Sequence, residues 1–245
     1  IEPPGGSSAR TLAPFAQDIV SPDTSLHHWA YNRGKKSVVL DLETEEGRAR
    51  LRQLAVGSDI IFENFDPGYL DSVELGYRAL SALNPALIHV SITPFGQDGP
   101  KSGWLATDLT LQAAAGNMAL TGDPDRAPLR AGGTLPQAFH NAASDAAGAA
   151  LIALFERQST SGLGQHVDCS AQQSMNQATQ SMSLAVPLGA TTPKRNGAGA
   201  ALGALKVQLM WPCLDGYASV SFLFGGGFAR FTQNLMNWIH DEGFV

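Results

Sequence analysis

"SDIIFENFDPGYLDSVELGYRALSALNPALIHVSIT", residues 58–93, is the stretch on which the fold turns. "DIIFEN" (59–64) is a short β-branched and aromatic run, the mark of a buried strand. "SVELGYRALSALNP" (72–85) carries apolar residues at helical spacing, and Pro85 disfavours helix at the residue before it. "ALIHVSIT" (86–93) is a second strand. One unit upstream the pattern repeats. "SVVLDL" (37–42) predicts a strand, Thr44 can cap a helix, Glu45 and Glu46 suit its first turn, and Leu51, Leu54 and Ala55 form its inner face. Strand–helix–strand–helix–strand with short links implies parallel pairing and right-handed crossovers, hence an α/β fold.

Outward from this core the chain stays ordered in type. Residues 1–36 are rich in Pro, Gly and Ser, read as loop, and close on "NRGKK". A helix is predicted over 106–122 and a longer one over 138–158. The strand "GQHVDCS" (164–170) and a helix over 171–186 follow. Residues 187–205 are rich in Gly, Ala and Pro and read as a mobile segment. "KVQLMWPC" and "DGYASVSFLF" predict a β-hairpin, and a helix starts near Gly227. The compositional shift divides the chain into a large domain, 1–186, and a linker with the start of a smaller α/β domain, 187–245.

Composition narrows the function. With 44% apolar and 16% charged residues the chain is globular, and a net charge of −6 argues against a nucleic-acid surface. No apolar run reaches the roughly 18 residues a membrane span needs. Two cysteines, Cys169 and Cys213, make no disulfide framework and fit a reducing, cytoplasmic compartment. Six histidines lack ligand spacing, so no metal is expected.

Three stretches carry candidate chemistry, each with a plain structural reading beside it. "ENFDPG" (63–68) links a strand to a helix: Asn64 can hydrogen-bond a ligand edge and Phe65 offers a flat apolar face, or the segment is simply a tight turn. Gly225, Gly226 and Gly227 can present amides to an anion or make an ordinary turn. His140 stands at the start of the 138–158 helix, as a base or nucleophile or as a satisfied helix-start histidine.

Taken in order, "NRGKKSVVLDL", "EGRARLRQL", "SDIIFENFDPG", "LGYRALSALNPALIHVSITPFGQDGP", "TDLTLQAAAG" and "ALFERQSTSGLGQHVDCS" resemble the family III CoA-transferases of the CaiB/BaiF type, over roughly residues 1–175. The resemblance implies a large Rossmann-like domain with a smaller α/β domain, and interlocked-ring dimers. It also implies that a first strand and helix, and the rest of the small domain, are missing at the two ends. The substrates it implies are acyl-CoA thioesters and carboxylic acids, with no metal. By the same resemblance Asn64 and Phe65 match the loop that cradles coenzyme A, and Lys35 and Lys36 match a basic pair suited to its phosphates. A basic residue usual after the proline–glycine turn is Ser72 here, and Arg10, Arg33 and Lys101 are the candidates to compensate.

The family's nucleophile is an aspartate at the start of the helix before the "GLGQ" turn. Counting back along "ALIALFER" lands on Phe139, and counting from "GLGQ" lands on His140; Asp145 lies more than a helical turn further on. The histidine of the racemase members is Thr107 here. The sequence thus resembles the subtype without the usual aspartate. The expectation is a protein that binds an acyl-CoA and takes part in CoA transfer between carboxylic acids, as a homodimer or with a homologous subunit, His140 being the candidate catalytic residue. The alternatives are a non-catalytic CoA-binding subunit, or an acyl-CoA isomerase, lyase or hydratase with a histidine base.

Overall fold

A computed structural model describes residues 1–245 other than 134, 180, 181, 183, 186, 198, 203, 204, 223, 224 and 245. The chain divides into two compact units, one of Ile1–Leu111 with Pro136–Gln177, the other of Gln112–Leu135 with Ala178–Val245.

The first unit is built on a parallel sheet in the order β1 (Ile60–Glu63), β2 (Ile88–Thr93), β3 (His166–Ser170). The parallel α/β class expected from residues 58–93 is what forms. Helix α2 (Glu45–Val56) begins as expected: the Thr44 hydroxyl accepts the Gly47 amide at 3.1 Å, and Glu45 pairs with Arg48 and Arg52. Its Leu51 and Ala55 join Leu70, Leu75, Leu80 and Leu87 in a leucine-rich core. Helix α7 (Ala138–Glu156) lies on β2 and β3 through Ala138, Ala142, Ala146, Ala150 and Ala153, all buried. Methyl side chains on one stripe let the helix backbone approach the sheet closely. Its far end is pinned by Arg157, which donates to the Ala86 carbonyl at 2.6 Å and to Asp59 at 2.7 Å.

Several expected elements differ. Residues 37–42 form no strand: Val39 makes one bridge with Glu2, and Val38 and Val39 stay exposed because nothing further pairs with them. The helix expected over 72–85 is two, α3 (Tyr69–Ser72) and α4 (Tyr77–Leu83). Glu74 turns to a φ of 58°, and a Cβ at Gly76 would overlap the Asp71 carboxylate, so the chain kinks there. The helix expected over 106–122 breaks likewise into α5 (Asp108–Ala114) and α6 (Asn117–Leu120) at Gly116, whose φ is 89°. Residues 1–36 are not all loop, since α1 (Leu26–Tyr31) is capped by the Ser25 hydroxyl accepting the His28 amide. After β3, α8 (Ala171–Gln177) opens the helix expected over 171–186; residues 180, 181, 183 and 186 of that stretch lie outside those described.

In the second unit the Gly/Ala-rich stretch contributes β4 (Gly199–Leu202), antiparallel to β5 (Leu205–Gln208). The expected strand 206–213 is therefore shared between two hairpins, its second half, β6 (Met210–Cys213), pairing with β7 (Gly216–Ser219). Arg195 donates to the carbonyls of Ala119, Asp123 and Arg126, gathering the turn after α6. Helix α9 (Ala229–Asp241) stands where a helix was expected.

Candidate functional site

The carboxyl ends of parallel strands are where open α/β sheets bind ligands. Here β1 ends in Glu63 and runs into Asn64, Phe65 and the Pro67–Gly68 turn. A pocket of about 260 Å³ opens at this edge, lined by Phe62, Glu63, Asn64 and Ile92 from the sheet side and by Phe139 and Ala143 from the first turns of α7. The ENF loop and the start of α7 therefore share one pocket. Phe65 is 40% exposed and stacks on Tyr69 at 4.9 Å between ring centroids.

Of the two residues to which counting leads, Phe139 lines this pocket. The His140 ring is half-buried and stacks on Tyr31 at 4.7 Å, with His27 beyond at 6.3 Å. One residue along a helix is a turn of about 100°, enough to send adjacent side chains to different surroundings. Asp145 faces a different hollow, with Ser144, Cys169, Ser170 and Gln173. The start of α7 carries a carboxylate of its own: Asp108 Oδ1 accepts the amides of Gln137 at 2.6 Å and Ala138 at 2.8 Å. The exposed N–H groups and partial positive charge of the helix end are met from within the chain.

Lys35 and Lys36 line a separate groove with Glu2, Arg10, His28 and Asn32. Arg10 is committed there to Glu2, at 2.6 and 2.7 Å, and this guanidinium, followed by the Ser37 hydroxyl, holds the Glu2 carboxyl far below the usual carboxylate range. Lys35 donates to Asn32 at 3.0 Å, and Lys101 lies over the Trp104 ring. Helix α1 connects the two places, with His28 in the lysine groove and His27 and Tyr31 against His140.

On the other side of Glu63 a larger cavity of about 480 Å³ is lined by Tyr77, Arg78, His89, Ser91, Gln97 and His166 among others. Burial pushes the Glu63 carboxyl up and takes His89 down to about 4, so this imidazole is neutral at pH 7. Its Nδ1 has no hydrogen-bond partner among the described residues. Cys169 is buried against the Ala142 carbonyl, and that burial raises its pKa; Cys213 is exposed.

Sequence reasoning missed Glu63, Asp108 and Tyr31. Glu63 is the first letter of a motif whose Asn and Phe drew attention. Tyr31 lies in a helix hidden by loop-like composition, with Ser25 as its one local signal. No local signal joins Asp108 to residues 137 and 138. Among the described residues no group of three or more His, Cys, Asp or Glu is placed to hold a metal ion, and no helix is long and apolar enough to cross a membrane.

Comparison with known proteins gives these features a family. Residues 1–243 match CoA-transferase family III. The chain is 34% identical over 243 residues to the succinyl-CoA:(R)-benzylsuccinate CoA-transferase subunit BbsE of Thauera aromatica, covering 99% of this chain and 57% of that protein. It is 39% identical over 177 residues to the acetyl-CoA:oxalate CoA-transferase of Acetobacter aceti, covering 69% of this chain and 42% of that one. The crystal structure of a CaiB/BaiF family protein from Brucella suis superposes with a TM-score of 0.79 at 32% identity, over 96% of this chain and 61% of the other. The chain thus spans little more than half the length of these relatives, yet nearly all of it is matched: it belongs to the family III CoA-transferases.

Proposed function

We propose that the chain is the coenzyme-binding part of a family III CoA-transferase, that it binds an acyl-CoA, and that it takes part in moving CoA between carboxylic acids. The observation that carries this is the pocket shared by Asn64 and the first turns of α7, at the carboxyl edge of a parallel sheet. Phe65, half-exposed beside it, offers a face for the base, and Lys35 and Lys36 supply charge for phosphates. The transferase names of the relatives support the same reading. The working assembly is a homodimer or a heteromer with a homologous subunit, no metal takes part, and two free thiols suit a cytoplasmic setting.

A second reading is favoured by Phe139. An apolar ring in the pocket, with His140 turned to Tyr31, suits a chain that holds the coenzyme while a homologous partner supplies the nucleophile. The relative named as a subunit points the same way. Calorimetric titration with CoA and acetyl-CoA tests binding, and absence of heat at millimolar ligand refutes both readings. Mass spectrometry with a panel of acyl-CoAs, alone and with the partner, separates them. An acyl or CoA adduct on this chain supports the first, and one confined to the partner supports the second.

A further inference from the structure

Parallel sheets covered by helices are apolar on both faces. The strands here obey that rule at Ile60, Phe62, Ile88 and Val90, but on the alternate face only Ile61 does, and polar residues follow. Glu63, Ser91 and Asp168 stand in register across the three strands, and His89 and His166 stand in register two residues before. Glu63, His89 and Ser91 are each at most 9% exposed. A buried carboxylate must be met by donors. Glu63 has two: the Phe65 amide at 2.8 Å and the Gln97 side-chain amide at 3.4 Å.

The polar pattern continues across the sheet. Ser91, opposite Glu63 on β2, shares a hydrogen bond of 2.9 Å with His166 Nε2 on β3. Tyr77 stacks on His166 at 5.4 Å and keeps the ring in place. The Gln97 backbone N–H donates to Asp168 at 2.9 Å. The Glu63 carboxylate thus joins the turn after β1 to the turn after β2, and Gln97 ties that second turn to β3. The backbone amide that Glu63 holds belongs to Phe65, next to Asn64, in the loop assigned to the coenzyme.

We propose that Glu63 is a positioning residue, whose carboxylate fixes the Asn64–Phe65 turn in the conformation that receives CoA, itself held by the Gln97 side chain. This rests on the coenzyme reading above. Removing the side chain leaves the Phe65 N–H without its acceptor and frees the turn. Glutamine keeps one carbonyl oxygen for that N–H.

The test uses the full-length protein, in its assembled form, as wild type, Glu63→Ala, Glu63→Gln and Gln97→Ala. Loss of a charge-assisted hydrogen bond corresponds to about tenfold or more in the dissociation constant for CoA in Glu63→Ala, with Glu63→Gln within about threefold of wild type. Hydrogen exchange at residues 64–66 should quicken in Glu63→Ala and, less, in Gln97→Ala, while that of Val90 and Val167 stays slow. Unchanged exchange at 64–66 in Glu63→Ala, or unchanged CoA affinity in a folded Glu63→Ala, overturns the proposal. If Glu63→Ala does not fold, equal exchange in Gln97→Ala and wild type overturns it instead. A wild type that binds no CoA refutes the coenzyme reading, while the exchange result still decides whether Glu63 holds the turn.

Discussion

Replacing His140 separates packing from chemistry at the start of α7. The ring lies at 4.7 Å and 30° from Tyr31, close to a stacked pair, and such pairs contribute about 0.5–1.5 kcal/mol beyond area burial. The half-buried ring adds about 1 kcal/mol of lost burial when truncated. His140→Ala should therefore cost about 1.5–2.5 kcal/mol. Tyr31 is 50% exposed, so Tyr31→Ala should cost less. In the double variant the two losses should fall short of additivity by about 0.5–1.5 kcal/mol, the coupling of the pair. Urea unfolding with linear extrapolation measures all four corners of the cycle. Strict additivity would refute the stack. His140→Phe then asks about chemistry, since it keeps a flat ring without a titratable nitrogen. Turnover of the assembled transferase should stay within about threefold, whereas loss of a general base would remove about 10²–10⁴-fold. A loss of that size, with the stack intact, would return His140 to the reaction and refute the packing account.

Phe65→Ala should weaken CoA binding by about 1–3 kcal/mol if the base stacks on the ring, read by calorimetry, with a small change in melting temperature because the ring is half-exposed. His89 gives a pH signature. Its pKa is about 4 in the folded chain against an ordinary 6.5, so between these values the unfolded chain binds the extra proton and stability falls as the pH is lowered. The loss is on the order of 2–3 kcal/mol and should vanish in His89→Gln; Glu63, raised by burial, acts with the opposite sign, so the difference between the two proteins is the quantity to measure by denaturation at several pH values. Gly164→Ala would drive a Cβ into the Leu87 carbonyl, a backbone group that cannot step aside, and should destabilise by about 2–3 kcal/mol in the same assay.

Residues 44–93 made the parallel α/β fold legible because buried strands and capped helices are local patterns: β-branched runs, Thr44 with its acidic first turn, and the proline after α4. The breaks at Glu74–Gly76 and at Gly116 were hidden: a glycine inside a helical period reads as a tolerated weakness, and nothing local marks Glu74 for a positive φ. Residues 37–42 have strand composition, but a strand needs a neighbour, and here Glu2 alone pairs with Val39. Of the candidate site, Asn64 was legible because a turn motif marks it. Phe139 and His140 could not be told apart by counting, because a longer "RQSTSG" turn shifts the register by one residue. The roles of Glu63 and Asp108 depend on partners brought together by folding.

The contrast between the two thiols turns the protein into its own clock. A maleimide dye offered to the native chain will take Cys213, exposed on β6, and leave Cys169 sealed between β3 and α7 with its thiolate disfavoured. Once the first label is on, any slow second incorporation counts openings of the β3–α7 packing. Its rate with and without coenzyme would report whether ligand bound at the near end of α7 tightens the helix along its length.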